Sequence, residues 1–240
     1  MTSAAAGDMP RWLYSGGREH LRVSEICKSR KQYERKPLMK ISNVKVYDMV
    51  ESIVASGLPK MAEYDEKWIV NETINLHNCE DITDNPHFKR ACKLAANPPG
   101  SGHNNFLSGI VVSMEVTATV KWWEQFQRYH FKQIVSSMST MHRLREMMQK
   151  GTIRFNENTD QMVIYAFMAM IHDENVTDEQ LAYSCPMGLE LTARITTNYL
   201  QMKTIYNQRH NHKLQEWHTF CDWIKTLPFA EEFITGKVDK

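Results

Sequence analysis

"WWEQFQRYHFKQIVSSMSTMHR", residues 122–143, sets five aromatic side chains, two histidines and a run of hydroxyls in one short stretch. A buried helix has little use for Ser136, Ser137, Ser139 and Thr140 so close together, and a surface helix has little use for Trp122, Trp123, Phe126 and Tyr129. Helical spacing fits the first half: from Val116 to Tyr129, Val116, Val120 and Trp123 fall on one line and Trp122, Phe126 and Tyr129 on another, which predicts a broad apolar face. A helix that ends in Arg128-Tyr129-His130 and runs into a hydroxyl-rich segment supplies donors to an anion and flat faces to a planar ring. An amphipathic helix followed by a Ser-rich turn is the plain alternative, and the chemistry of the stretch leaves the two level.

Outward from this stretch, 240 residues with 42% hydrophobic and 24% charged side chains are ordinary for a globular protein with a sizeable core. A formal net charge of +1 gives no long-range field to draw in nucleic acid or an anionic membrane, so an anionic ligand must be held by a few placed residues. Apolar runs are too short to span a bilayer, and the N-terminal stretch has no apolar secretion core, which predicts a cytoplasmic protein. Cys27, Cys79, Cys92, Cys185 and Cys221 are odd in number and far apart, which suggests neither a disulfide framework nor a thiolate zinc site. Fifteen methionines are compatible with a cofactor pocket, although irregular core packing explains them as well.

Residues 1–38, with the basic run "KSRKQYERKP", show little periodicity and are read as an extension. A globular pattern begins at Met39, with a first strand expected at about Val44 to Tyr47 and a helix in "ESIVASGLPKM" ended by Gly57 and Pro59. "NPHFKRACKLAANPPG" reads as a helix, and the β-prone run Ile110 to Val112 as a strand. Asp160 to His172 is apolar nearly all round, so it predicts a helix buried on most sides by its own core or by another subunit. Thr177 and Gln180 form a capping box for a short helix ending before Pro186. The stretch from about Leu189 is read as helical; within it Asn198, Met202, Ile205 and Arg209 lie at i, i+4, i+7 and i+11. That places Asn198 and Arg209 on one line, about 16 Å apart along the axis.

The common catalytic signatures (G-x-G-x-x-G, G-x-x-x-x-G-K-[ST], H-E-x-x-H and G-x-S-x-G) are missing. His210 and His212 form an H-x-H pair, read as a solvent-facing turn because no acidic or cysteine partner completes a metal site.

Three blocks together resemble one family. "QFQRYHF...SSMST" looks like the signature of the flavin-dependent thymidylate synthases, in which a Gln-aromatic-x-Arg-His-Arg run precedes S-x-N-E-x-S. "TTNYLQMKTIYNQRHNHKLQEW" is similar to that family's late helix, with an arginine eleven residues after an asparagine and an A-Q-x-E block beyond it. "SGHNNF" resembles the flavin-contacting stretch that precedes both. Order and spacing agree from Met39 to about Trp223, with particular likeness to a divergent phage-type branch that carries "WW" and "STMH".

The resemblance implies an α/β (α+β) fold with a mixed sheet flanked by long helices, one domain over residues 39–240, assembled as a homotetramer. It implies that Arg209, the residue to which catalysis is assigned, contacts a pyrimidine deoxynucleotide together with Gln125, Ser137 and Ser139. Flavin, as FAD, would fall to His103, Asn105, Arg128, His130, Asn198 and Lys213, and Gln215 matches the glutamine of A-Q-x-E. NADPH and methylenetetrahydrofolate would be co-substrates, no metal is expected, and nucleic acid and membrane are not expected partners. The chain departs from the pattern at the Arg-His-Arg triplet. Counting back from Ser139 gives Tyr129, His130 and Phe131, whereas aligning Gln125 and Arg128 with the first Gln and Arg requires one extra residue before Ser139. Two functional expectations follow: flavin-dependent one-carbon transfer to C5 of dUMP or dCMP, by methylation or hydroxymethylation, or a non-catalytic relative that binds nucleotides or partners.

Overall fold

A computed structural model describes residues 39–236. The reading of residues 1–38 as an extension lies outside the described residues. Four segments in which apolar and polar residues alternate become strands: β1 (Lys40–Tyr47), β2 (Val111–Thr119), β3 (Lys132–Ser137) and β4 (Glu190–Asn198). Among the described residues they form one sheet in the order β1-β2-β4-β3. The α+β class is borne out, but every pairing is antiparallel, so the expected mixed sheet is corrected. A parallel arrangement needs both faces covered by crossover helices. Here one face is apolar and the other polar: Val112, Met114, Val116 and Ala118 are fully buried, whereas Glu115, Thr117, Thr192, Arg194 and Thr196 alternate to the opposite side. That side is laced by hydroxyl pairs, Ser113 with Thr196 at 3.3 Å and Thr117 with Thr192 at 2.7 Å.

The helices are α1 (Met49–Ala55), α2 (Glu66–His77), α3 (Pro86–Ala95), α4 (Val120–Phe126), α5 (Leu144–Gln149), α6 (Gln161–His172), α7 (Asp178–Tyr183), α8 (Tyr199–Arg209) and α9 (Gln215–Ile224). None among the described residues exceeds 12 residues, so the flanking helices are shorter than expected. The helix at residues 161–172 and the Thr177–Gln180 capping box form as expected, but within this chain the helix is buried along one stripe rather than on most sides, with Met162 and Val163 exposed. Two long helical readings are corrected, because in each a strand runs straight into a helix. Val116–Thr119 completes β2, and only then does α4 begin; Glu190–Asn198 is β4, and α8 follows. A polar N-cap marks each switch: Thr119 Oγ1 accepts from Trp122 N at 3.1 Å, and Asn198 Oδ1 accepts from Gln201 N at 2.8 Å. β1 and β2 extend beyond the short strands expected, β1 passing through a bulge after Ser42 where Asn43 has φ 52°.

The first turn of α4 is satisfied from outside. Val120 N donates to the Leu189 carbonyl and Lys121 N to the Met187 carbonyl, each at 2.9 Å. Thr119 N and Oγ1 donate to the two carboxylate oxygens of Glu216 on α9, at 2.9 and 2.6 Å. This fastens α9 across α4 and closes an aromatic core in which Trp122 stacks on Phe126 at 4.7 Å and meets Trp217 at 5.0 Å. Trp122 and Phe126 are 0% exposed, so the aromatic half of residues 122–143 is core, while Ser136 and Ser137 lie in an edge strand. Ile164, Phe167, Met168 and Ile171 of α6 are buried apart from the main core cluster, with the Phe167 ring 6.3 Å from that of Phe155, while Met162 and Val163 are exposed.

Replacing Trp122 by alanine should lower stability by about 3–5 kcal/mol and the melting temperature by roughly 6–20 °C, read by thermal denaturation. Trp122→Phe should cost far less, since the buried indole N–H has no hydrogen-bond partner to lose. A second expectation concerns pH. Burial, then the charge of Glu216, raises the pKa of Glu190, and burial raises that of Glu216 above the ordinary 4.5. Both groups hold protons more tightly in the folded state, so their stabilisation is complete below about pH 4.5 and is lost as pH rises through the folded values. Glu190→Gln should therefore gain melting temperature relative to the parent at pH 7 and show a smaller gain at pH 4.

Candidate functional site

The C-terminal ends of α4 and α8 meet at a cleft of about 340 Å³. Arg128, Tyr129, His130 and Phe131 line it from the turn after α4, and Gln201, Thr204, Gln208 and Arg209 from α8. Gln201, Thr204 and Gln208 recur at i, i+3 and i+7, which puts them on one helix face. The turn is pinned to the body through the main chain of Phe131. Its N–H donates to Gln201 Oε1 at 3.1 Å, and its carbonyl accepts from Thr197 Oγ1 at 2.8 Å.

Arg209 is held on three sides. Its Nε donates to the Tyr129 hydroxyl at 2.7 Å, its Nη1 to Gln125 Oε1 at 3.5 Å, and its guanidinium lies 4.8 Å from the centre of the Trp217 ring. Trp217 Nε1 donates to the same Gln125 oxygen at 2.7 Å, so a single amide orients both the arginine and the indole that carries it. Two of the five guanidinium N–H groups are used in this cage, leaving three for a ligand. Burial raises the pKa of Tyr129, with Arg209 pulling it back, so the phenol stays protonated at neutral pH and its own proton is free to donate. No carboxylate lines the cleft among the described residues. Its chemistry is that of a receptor for an anionic or carbonyl-bearing ligand.

Of the residues singled out in the sequence, Gln125, Arg128, His130 and Arg209 come together here. Ser137 lines a different cleft, of about 380 Å³, with Trp123, Met138 and Leu191, and Ser139 follows the end of β3. His103 and Asn105 are exposed around the start of a short 3-10 segment before β2. Asn198 caps α8 at the end remote from Arg209, so the two do not share one helix line; Met202 and Ile205 between them are 0% exposed. Lys213 is exposed in the turn between α8 and α9, beyond the cleft. His210 and His212 are engaged locally, His210 Nδ1 with the Tyr206 carbonyl and His212 Nδ1 with Leu214 N. Among the described residues no group of three or more His, Cys, Asp or Glu side chains is placed to hold a metal, and no helix is long and apolar enough to cross a membrane. Gln201, Gln208 and Trp217 were not among the residues expected. The polar positions of α8 at helical spacing are the signal that marks the first two, whereas Trp217 is found through its ring against Arg209.

Neither a protein-family model nor a curated protein sequence matches the chain. Solved structures do. The flavin-dependent thymidylate synthase ThyX from Helicobacter pylori, complexed with FAD and dUMP, superposes with a TM-score of 0.59 at 9% identity, covering 83% of this chain and 98% of that one. A second structure of the Helicobacter pylori enzyme with FAD and dUMP gives 0.57 at 10% identity over 85% and 99%. The UMP/dUMP methylase PolB from Streptomyces cacaoi, bound with 5-Br dUMP, gives 0.52 at 12% identity over 83% and 95%. The chain thus has the flavin-dependent thymidylate synthase fold, in agreement with the resemblance drawn from its three sequence blocks.

Gln201→Ala should leave the Phe131 amide without its partner and lower unfolding stability by about 1–3 kcal/mol, with faster hydrogen exchange at that amide. Gln208→Ala, an exposed change in the same cleft, should stay within about 0.5 kcal/mol of the parent.

Proposed function

We propose that the protein binds a pyrimidine deoxynucleotide at the Arg209 cleft and transfers a one-carbon unit to C5 of its base with the help of reduced flavin. The reaction is methylation of dUMP, or a variant hydroxymethylation of dUMP or dCMP. The observation that carries this reading is the donor set: Arg209 caged with three N–H groups to spare, Arg128 and His130 beside it, and no carboxylate on the cleft wall among the described residues. The neighbours of like fold are a synthase complexed with FAD and dUMP and a UMP/dUMP methylase.

The donor set also has the sign a flavin requires. Arg128 and His130, both exposed at the mouth, would hold the diphosphate of FAD, and the exposed ring of Phe131 offers a face to its aromatic system. When bound, the flavin would supply the redox chemistry, with NADPH as reductant and methylenetetrahydrofolate as carbon donor. The chain's own contribution is to bind and orient. Arg209 would hold the base by charge-assisted hydrogen bonds, with Gln125 keeping the guanidinium in place and Tyr129 donating its free proton to a ligand acceptor. Ser137 and Ser139 stand apart from this cleft in one chain. A homotetramer in which the β3 end of one copy meets the Arg209 cleft of another would complete the nucleotide site.

A second reading is supported by specific residues. The Arg-His-Arg triplet that the resemblance implies is not intact in either register, whether counted back from Ser139 to Tyr129, His130 and Phe131 or aligned at Gln125 and Arg128, and the Asn198 side-chain oxygen is taken up as a helix cap. A relative that keeps the nucleotide cleft but has lost flavin would look the same at these positions.

The test is calorimetric titration of the purified protein with dUMP and dCMP, alongside its visible absorbance. Binding of at least one nucleotide is expected, and Arg209→Ala should weaken it by about tenfold to a hundredfold. Unchanged affinity in that variant would remove the assigned role. Flavin absorbance, or a thermal shift on adding FAD, supports the enzyme; colourless protein without such a shift leaves the nucleotide-binding relative.

A further inference from the structure

A separate cleft of about 390 Å³ lies where residues 156–159 and the turn at 186–188 meet the start of α4 and the start of α9. Its polar lining differs from that of the Arg209 cleft, for it includes Glu216, 1% exposed, and Asn156, 9% exposed, set among apolar walls from Val163, Met187 and Leu214. Among the described residues no Lys, Arg or His forms an ion pair with Glu216. The one cation among the described lining residues, Lys121, is paired with Glu124 at 2.7 Å. Thr119 gives the Glu216 carboxylate two neutral hydrogen bonds, which fill about two of its four lone-pair positions. A carboxylate this deep, without a positive partner, is unfavourable in its charged form, which is why burial raises its pKa, and a cation bound beside it would favour the charged form.

A second observation comes from another residue of the same lining. Thr159 Oγ1 is buried and has no hydrogen-bond partner. It sits where a Cβ at Gly188 would approach to 1.8 Å, so glycine at that position is what leaves the hydroxyl its place. Buried hydroxyls are rarely left unpaired in the absence of water or a ligand.

We propose that this cleft is a binding site for a small organic ammonium ion, its N–H groups shared by the Glu216 carboxylate, the Thr159 hydroxyl and the Asn156 side-chain oxygen, with its hydrocarbon body against Val163, Met187 and Leu214. An ammonium carries three donors; the Glu216 carboxylate, the Thr159 hydroxyl and Asn156 Oδ1, which already accepts from Asn158 N at 2.9 Å, can each accept one of them. A hard metal ion would need more oxygen ligands, commonly including several carboxylates, and among the described residues no group of three or more His, Cys, Asp or Glu side chains stands together. Water would pair the Thr159 hydroxyl but bring no charge to Glu216. The site is independent of the Arg209 cleft and does not rest on the function proposed there.

The probes are n-butylammonium, 1,4-butanediammonium and, as neutral counterpart, 1-butanol, added to the full chain and followed by calorimetry and thermal shift. At least one amine should bind and raise the melting temperature, and the alcohol should not. Glu216→Gln, which keeps an acceptor for Thr119, should weaken the amine by at least about tenfold. Thr159→Val should melt no lower than the parent without amine, since its hydroxyl makes no bond, yet should weaken the amine by a few fold. Absence of amine binding, equal binding of butanol, or undiminished affinity in Glu216→Gln would overturn the proposal. Should Glu216→Gln fail to fold, undiminished affinity in Thr159→Val would do so instead.

Discussion

Two hydrogen bonds from Thr119 to the Glu216 carboxylate decide where the rest of the molecule can go. Thr119 is at once the last residue of β2 and the N-cap of α4, so its position joins sheet to helix. Glu216 stands in the first turn of α9, and by gripping Thr119 it lays α9 across α4 and brings Trp217 against Trp122. The next consequence is at the far end of α4. With Trp217 in place, its indole N–H finds Gln125, and Gln125 and the indole ring together fix Arg209. A buried carboxylate near the positive end of a helix therefore sets, through about two turns of packing, the aim of a cation at the helix's other end.

Much of the fold is legible where local rules and tertiary packing agree. Thr177 and Gln180 specify their helix by capping chemistry alone, and α6 shows itself by length and apolar content. The failures lie at two places where strand turns into helix without a loop. Neither Thr119 nor Asn198 is preceded by glycine or proline, so nothing punctuates the switch, and a 3.6-residue period can be drawn through a strand such as "TARITTN" by coincidence. What decided for the strand was pairing: Val111–Thr119 and Glu190–Asn198 match residue for residue along their whole length, a contact between segments that no local period contains.

The candidate site was legible to the same extent. Gln125, Arg128, His130 and Arg209, named through the family resemblance, come together because they sit around two helix ends. Trp217 was missed because a tryptophan in an apolar helix face looks like core, and it is core on one side while its ring carries a guanidinium on the other. The second cleft was wholly hidden. It is assembled from residues 119–121, 156–159, 186–188 and 214–216, whose proximity follows from the β2–β4 pairing and from the grip of Glu216.

The helix arrangement also bears on the strength of the Arg209 cleft. β2 and β4 are antiparallel neighbours, so α4 and α8 leave the sheet at opposite ends, and the contact of Tyr129 with Arg209 shows that their C-terminal ends meet. The C-terminus of a helix carries partial negative charge, which favours cations there by about 0.3–1 kcal/mol each. Arg209 closes α8, and Arg128 stands two residues past the end of α4. Part of their charge is therefore answered by helix carbonyls before any ligand arrives, and more of it by the Trp217 ring. The cleft thus presents cations already stabilised in position rather than a strong field, in keeping with a net charge of +1 over the whole chain. Any selectivity of the proposed nucleotide site would come from geometry: from three remaining N–H groups in a fixed plane, which a planar carbonyl or phosphate can meet and an anion of the wrong shape cannot.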